Sequence, residues 1–157
     1  MALTIAGIVA LIGLPALNTT VQNAQVRTAA SNMNTAVSYA RSQAVRQGER
    51  MSVHARPDDS GNLSFNNGWC VVPHNGGAGD CSVPENVLRL FDAAPNVTLV
   101  LTDVSNSRMV FDSQGVRVGG NPHIIHVSPP DCPSGANRAR QVEVRASGRA
   151  EVRAATC

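Results

Sequence analysis

The sequence contains no lysine, since all 13 of its basic residues are arginine. This absence excludes mechanisms that need a lysine amine, such as a Schiff base or a phosphate-loop lysine. Aromatic residues are also scarce at 3%, and charged residues make up only 15% of the chain. Hydrophobic residues reach 43%, which is enough for a packed core built from Val, Leu, Ile and Ala. The length of 157 residues is suited to one modest domain with an extension.

The N-terminal segment lacks charge: residues 1–17 are almost wholly apolar, and the first charged residue is Arg27. This run is at the short limit for a membrane helix, which needs about twenty residues. A signal peptide would place basic residues before the run and a small-residue cleavage site after it. Instead the run starts at Met1, and the polar part that follows keeps the three- and four-residue spacing of an amphipathic helix. The sequence therefore predicts one helix of about 45 residues that ends at Gly48 and is kinked or locally melted at Pro15.

After Gly48 the hydrophobic period changes from about 3.6 to 2, which is typical of strands. Turn-rich segments separate the predicted strands, which cover residues 50–55, 68–73, 87–92, 97–103, 108–118 and 123–128. The last stretch, RQVEVRASGRAEVRA, has the pattern of a β-hairpin. A three-residue loop at 146–148 with Gly148 in the left-handed conformation pairs Val144 with Ala150 and keeps one face apolar. The predicted fold class is α+β, with a long N-terminal helix packed on an antiparallel sheet.

Four cysteines are present, and their spacing does not match a zinc or redox CxxC pair. Together with the apolar N-terminus, they indicate two disulfides formed in an oxidising compartment. Three pairings are possible. We favour Cys70–Cys81 with Cys132–Cys157, because each joins neighbours in sequence and the second fixes the C-terminus.

Charge is distributed unevenly. Residues 27–56 carry five arginines against one glutamate (+4), residues 57–131 three arginines against eight acids (−5), and residues 132–157 five arginines against two glutamates (+3). The first expectation for the basic C-terminal segment is a solvated face with internal ion pairs, and polyanion binding is the alternative. Its arginines are Arg138, Arg140, Arg145, Arg149 and Arg153.

No arrangement of residues points to catalysis, a metal or a cofactor, so we expect none of the three. His123 and His126 are three apart on a predicted strand and point to opposite faces, which makes a poor metal pair. His54 and His74 are isolated in sequence. Turn formation accounts for Asp58, Asp59 and the NGGAGD stretch, and Trp69 is expected to be a core residue beside a disulfide.

Several stretches resemble the type IV pilin superfamily. MALTIAGIVALIGLPAL is similar to the pilin stem, although the family's N-terminal Phe and stem Glu are absent, which implies an N-terminally truncated chain. Three further segments resemble the heads of FimT/FimU minor pilins and GspH pseudopilins: RTAASNMNTAVSYARSQAVRQGERMSV, MVFDSQGVRVGG and VEVRASGRAEV. The resemblance implies a stem at residues 1–25, with loss of helicity near Gly13 and Pro15. It also implies a head at residues 26–157, helical over 26–48 and β-rich over 49–157.

The resemblance implies a structural role. The chain would lie in the bacterial inner membrane before assembly, with its head in the periplasm, and later pack its stem against other pilins in an extracellular pilus. A minor pilin that primes assembly at the tip is the first expectation, and a GspH-like pseudopilin of type II secretion is an alternative. Some FimT-type pilins bind DNA through Gly-Arg-x-Arg, but this chain has Glu151 at the second arginine position. A DNA receptor acting through Arg145, Arg149 and Arg153 is the remaining alternative.

Overall fold

A single long helix precedes all the strands. The computed structural model describes residues 2–74, 81–102, 107–119 and 121–157, with side chains from residue 18 onward. Helix α1 spans Ala2–Gln47. Within the described ranges the strands are β1 Met51–Pro57, β2 Leu63–Pro73, β3 Arg89–Asp92, β4 Thr98–Leu101, β5 Arg108–Phe111, β6 His123–Ser128, β7 Ala139–Val144 and β8 Ala150–Ala155, with a short 3-10 helix at Pro84–Asn86.

The second half of α1 is amphipathic, as its sequence pattern predicts. Its fully buried positions recur every three or four residues: Val26, Ala29, Ala30, Met33, Ala36, Val37, Ala40 and Ala44. Five of these eight are alanine, so the helix backbone lies close to the strands beneath it. The helix ends as predicted, because Gly48 takes a left-handed φ of 68° and its N–H donates to the carbonyl of Ala44 at 3.0 Å.

The strands form two four-stranded antiparallel sheets. The order is β3-β2-β1-β5 in the first sheet and β4-β6-β7-β8 in the second. Helix α1 packs on both, and the core between them contains Met33, Trp69, Phe111 and Ile125, each fully buried. The predicted α+β class is confirmed, with the antiparallel strands divided between two sheets.

The strand predicted over residues 108–118 is wrong in its second half, because β5 ends at Phe111. The carboxylate of Asp112 accepts the backbone N–H groups of Gln114 and Val116, both at 2.9 Å, and so closes a turn. The chain reverses there, and Arg117 forms an isolated bridge with Phe111. Strand β2 differs in the other direction, since it starts at residue 63 and not at 68.

Two disulfides join Cys70 to Cys81 and Cys132 to Cys157, which is the pairing favoured from the sequence. Helix α1 is assigned without a break through Gly13 and Pro15, where the sequence predicts a kink or local melting. The side chains of both residues lie outside the described part of the chain. In the part of the chain with described side chains, no helix combines the length and apolarity that a membrane crossing requires.

Candidate functional site

The β7–β8 hairpin carries most of the arginines identified from the sequence. Val142 pairs with Val152 and Val144 with Ala150, which confirms the predicted register. Gly148 occupies the third loop position with φ 76°, as the three-residue loop requires. Val142 and Val144 are fully buried in the core, so the alternate residues face away from it.

The outward face of the hairpin is an ion-pair cluster of four residues. Arg145 contacts Glu143 and Glu151, each at 3.2 Å. Arg153 contacts the same two glutamates, at 3.5 and 3.0 Å. Two positive and two negative charges therefore cancel, and the guanidinium groups are engaged within the chain.

The ion pairs also alter proton binding. The hydrogen bond from Arg153 and the charge of that same guanidinium hold the pKa of Glu151 below its usual value, with smaller contributions from Arg145 and Arg149. The bond to Glu151 correspondingly raises the pKa of Arg153. Glu151 therefore stays ionised to lower pH than a free glutamate.

Two further candidate arginines lie elsewhere. Arg138 donates to Gln22 Oε1 at 2.7 Å and to Asn23 Oδ1 at 3.1 Å, so it fixes the segment before β7 to helix α1. Arg140 is half-buried, and its guanidinium donates to the carbonyl of Ala139 at 3.1 Å. The structure therefore does not bring the five C-terminal arginines together in one basic patch.

A different group of arginines lines one groove, which we call the arginine groove. It lies between the last turns of α1 and the hairpin loop, has a volume of about 500 Å³, and includes no carboxylate among its lining residues. Its lining consists of Ser38, Arg41, Ser42, Val45, Arg46, Gly148, Arg149 and Ala150. Arg46 donates to Gln43 Oε1 at 2.7 Å, whereas the guanidinium groups of Arg41 and Arg149 form no hydrogen bond or ion pair with any described residue.

Arg41 and Arg46 are not among the candidate residues predicted from the sequence. The available signal was the net charge of +4 over residues 27–56, which includes both. Their position beside Arg149 depends on a contact between segments about a hundred residues apart in sequence, and no local pattern reports such a contact. At that contact, the backbones of Gly115 and Gly148 lie against each other and against the Arg41 side chain.

The candidate histidines lie in or directly after strands of the two sheets. His123 is buried and His126 is half-buried on the opposite face of β6, as predicted. His74 has a pKa lowered first by burial and then by the positive charges of Arg108 and Arg50. Among the residues with described side chains, no three potential metal ligands come together.

Turn and core residues account for the other motifs. The Asp58 carboxylate accepts from the backbone of Ser60 at 2.9 Å and of Asn62 at 2.8 Å, which is turn formation. Trp69 is fully buried and stacks on Phe91 with ring centroids 5.8 Å apart. The NGGAGD stretch, residues 75–80, lies outside the described residues.

A long N-terminal helix seated on antiparallel sheets is the architecture of type IV pilin-like proteins, whose heads are carried on such a helix. The family model described as "Type II transport protein GspH" matches residues 29–148, which is more than half of the chain. The chain belongs to the GspH family.

Solved structures agree on the fold. The minor pilin FimU of Pseudomonas aeruginosa PAO1 is 19% identical with a TM-score of 0.65, and the match covers 84% of this chain and 94% of FimU. A second crystal form of FimU gives 20% identity, a TM-score of 0.63, and coverage of 83% and 98%. The minor pseudopilin EpsH of Vibrio cholerae is 12% identical with a TM-score of 0.53 and coverage of 84% and 97%. Comparison with curated proteins gave no match.

Proposed function

We propose that this chain is a minor pilin that is built into a type IV pilus and primes its assembly at the tip. The observation that carries the proposal is the length of α1 relative to the head. The helix begins at Ala2, and from residue 18 onward, where side chains are described, its first buried core residue is Val26. Roughly 24 helical residues, or about 36 Å, precede Val26. A helix extended beyond its own core needs other molecules to cover its apolar surface.

The proposed division of labour follows from this length. Residues 1–25 form a stem that lies in the bacterial inner membrane before assembly and packs against the stems of other pilins afterwards. Residues 26–157 form the head, first in the periplasm and then outside the cell, where both disulfides are stable. Gly13 and Pro15 permit the stem to lose helicity locally when it packs in the filament.

The test is a chromosomal deletion in the host bacterium, complemented with the full chain. We expect fewer surface pili after deletion and restored pili after complementation, measured by electron microscopy and by immunoblots of sheared filaments. Gold-labelled antibody against the chain should mark filament ends. Label along the whole filament would indicate a major pilin and contradict the tip role.

A GspH-like pseudopilin is the second candidate, and the description of the matching family favours it. The same deletion strain separates the two. Loss of type II secretion with normal pili would replace the pilus proposal with the pseudopilus one, because secretion and surface pili are measured separately. Loss of pili with normal secretion supports the pilus.

A pilus DNA receptor is the third candidate, and the arginine groove is the observation that favours it. Arg41, Arg46 and Arg149 present guanidinium groups with no carboxylate among the lining residues, and guanidinium binds phosphate in a bidentate manner. The lining contains no aromatic residue, so DNA binding there would depend on phosphates and not on bases. By contrast, Arg145 and Arg153 are already paired with glutamates.

Two variants with equal loss of charge test this candidate. Full chain in detergent micelles is titrated with labelled duplex DNA across a series of salt concentrations. Under the DNA proposal, Arg41→Gln/Arg46→Gln weakens binding. It also makes the negative slope of log K against log salt shallower by about 2. Arg145→Gln/Arg153→Gln then has a smaller effect. The reverse order would assign DNA to the hairpin face, and no binding at low salt would reject the receptor.

A further inference from the structure

Arg138 joins the C-terminal part of the chain to the part of α1 where the stem meets the head. Its Nη2 donates to Gln22 Oε1 at 2.7 Å, and its Nε donates to Asn23 Oδ1 at 3.1 Å. Both acceptors are neutral amide oxygens, and a hydrogen bond from a charged donor is stronger than one between neutral groups. The planar guanidinium group therefore holds two consecutive helix residues at once.

Gln22 and Asn23 are half-buried and continue the buried face of α1 toward the stem. Gln22 lies four residues before Val26, the first buried core residue on the part of the helix with described side chains. Residues four apart share one face of a helix, so Gln22 occupies the place where an apolar residue would extend the core. At this turn Arg138 provides through hydrogen bonds the contact with the head that apolar packing provides from Val26 onward.

Another face of the same helical turns is open. Val21, Ala24 and Thr28 are exposed and line a groove of about 570 Å³ between α1 and the region of β3. Closer to the N-terminus, α1 contains Gly13 and Pro15, which are both unfavourable inside a helix. Unwinding that started in the stem would therefore meet little packing on this open face before it reached the core.

The segment that carries Arg138, residues 132–138, is itself fixed in place, and we call it the clamp loop. The Cys132–Cys157 disulfide ties its first residue to the C-terminus. The carbonyl of Ala136 accepts two backbone N–H groups, from Arg138 at 2.9 Å and from Cys157 at 3.1 Å. Strand β7 starts directly after Arg138. The arginine is therefore anchored on both sides, and its guanidinium group is held toward the helix.

We propose that the clamp loop, acting through Arg138, keeps α1 helical over residues 19–25 and so fixes the point at which the stem leaves the head. Unwinding of these residues would also break both hydrogen bonds of Arg138, so the clamp protects the helical hydrogen bonds there. The disulfide contributes by holding Arg138 in position. The proposal is independent of whether the chain enters a pilus or a pseudopilus, because all of these contacts lie within one chain.

The test is hydrogen exchange, measured by mass spectrometry on the full chain in detergent micelles. In Arg138→Gln, the amides of residues 19–26 should exchange at least about tenfold faster than in the wild type, while those of residues 29–44 stay unchanged. Arg140→Gln is the matched control, because it removes the same charge two residues later. Arg140 donates to the carbonyl of Ala139 and not to α1, so its substitution should leave both regions unchanged.

Equal exchange over residues 19–26 in the two variants would overturn the proposal. Faster exchange over residues 29–44 in Arg138→Gln would overturn it as well, because the arginine would then stabilise the whole head and not the start of the helix.

A second set of variants tests whether Arg138 acts through its two helical partners. In a Gln22→Ala/Asn23→Ala chain, Arg138→Gln should cause no further increase in exchange, because its acceptors are gone. Alanine favours the helix, so this background should fold. An effect of about tenfold that persisted there would contradict the proposed clamp.

The disulfide has its own test in the same experiment. Cys132→Ser/Cys157→Ser should speed exchange over residues 19–26 more than over residues 29–44, because the clamp loop loses one anchor. Equal increases in the two regions, or no increase over residues 19–26, would overturn the role given to the disulfide.

Discussion

At the scale of single residues, Gly148 sets the hairpin loop on which the arginine groove depends. Its φ is 76°, and a Cβ added there would overlap the carbonyl oxygen of Gly115. Gly61 has a similar φ of 84°, but a Cβ there would meet no atom within 4 Å. Comparing alanine substitutions at the two glycines therefore separates the cost of backbone strain from the cost of steric overlap.

We expect Gly148→Ala to lower the free energy of unfolding by about 2–4 kcal/mol, because strain and overlap add. Gly61→Ala should cost about 1 kcal/mol, since only the strain applies. Urea unfolding of the full chain in detergent measures both. Equal losses would show that the contact with Gly115 does not constrain the loop.

Glu151 provides a prediction about pH at the same scale. The hydrogen bond from Arg153 keeps the pKa of Glu151 lower in the folded chain than in the unfolded one. The unfolded chain therefore binds the proton first as pH falls. The contribution of Glu151 to stability is present above its ordinary pKa of 4.5 and is lost as pH falls through the folded pKa.

We expect the free energy of unfolding of Glu151→Gln to fall less steeply than that of the wild type below about pH 4.5. Urea unfolding between pH 7 and pH 3 provides the measurement. Glu49→Gln is the control, because Glu49 forms no ion pair within the described part of the chain. Parallel pH profiles for the wild type and Glu151→Gln would show that the ion pairs do not persist in solution.

At the scale of elements, the buried face of α1 works because it is made largely of alanine. Alanine lets the helix backbone approach two sheets at once, and a larger side chain has no room there. Ala36 is fully buried, while Ser31, little more than one turn earlier on the same helix, is exposed.

We expect Ala36→Leu to destabilise the head by about 1–3 kcal/mol through overpacking. Ser31→Leu should change the free energy of unfolding by less than about 0.5 kcal/mol, because its side chain extends into solvent. Thermal unfolding followed by circular dichroism compares the two. A tolerated Ala36→Leu would mean that the helix can move away from the sheets at little cost.

At the scale of the whole molecule, the Cys132–Cys157 disulfide ties the C-terminus to the segment before the hairpin. It closes a loop with a sequence separation of 25. Backbone hydrogen bonds accompany it, since Gly135 N–H donates to the carbonyl of Cys157 at 2.9 Å and Cys157 N–H donates to that of Ala136 at 3.1 Å. The end of β8 is thereby held against fraying.

We expect Cys132→Ser/Cys157→Ser to lower the free energy of unfolding by about 3.5 kcal/mol, the loop-entropy value for a closure of this length. Ser134→Ala/Thr156→Ala is the control, because it changes exposed neighbours and keeps the disulfide. Urea unfolding without reductant measures both. An unchanged stability of the serine variant would show that the hydrogen bonds alone hold the C-terminus.

The sequence by itself determined the features that repeat over a few residues. The helix end at Gly48, the hairpin register and the paired cysteines follow from local periodicity, a glycine at a left-handed position and short sequence separations. The end of β5 was missed although its cause is local. The alternating pattern continued past Asp112, while the Asp112 carboxylate satisfied the backbone of a turn in place of a strand.

Only the tertiary structure decided which charges act together. The hairpin sequence shows arginines and glutamates, but their distances show that Arg145 and Arg153 neutralise Glu143 and Glu151. The arginine groove exists because the packing of α1 on the second sheet sets Arg41 and Arg46 beside Arg149. Local backbone preferences extend over a few residues, whereas the grouping of side chains from distant segments depends on how the elements pack.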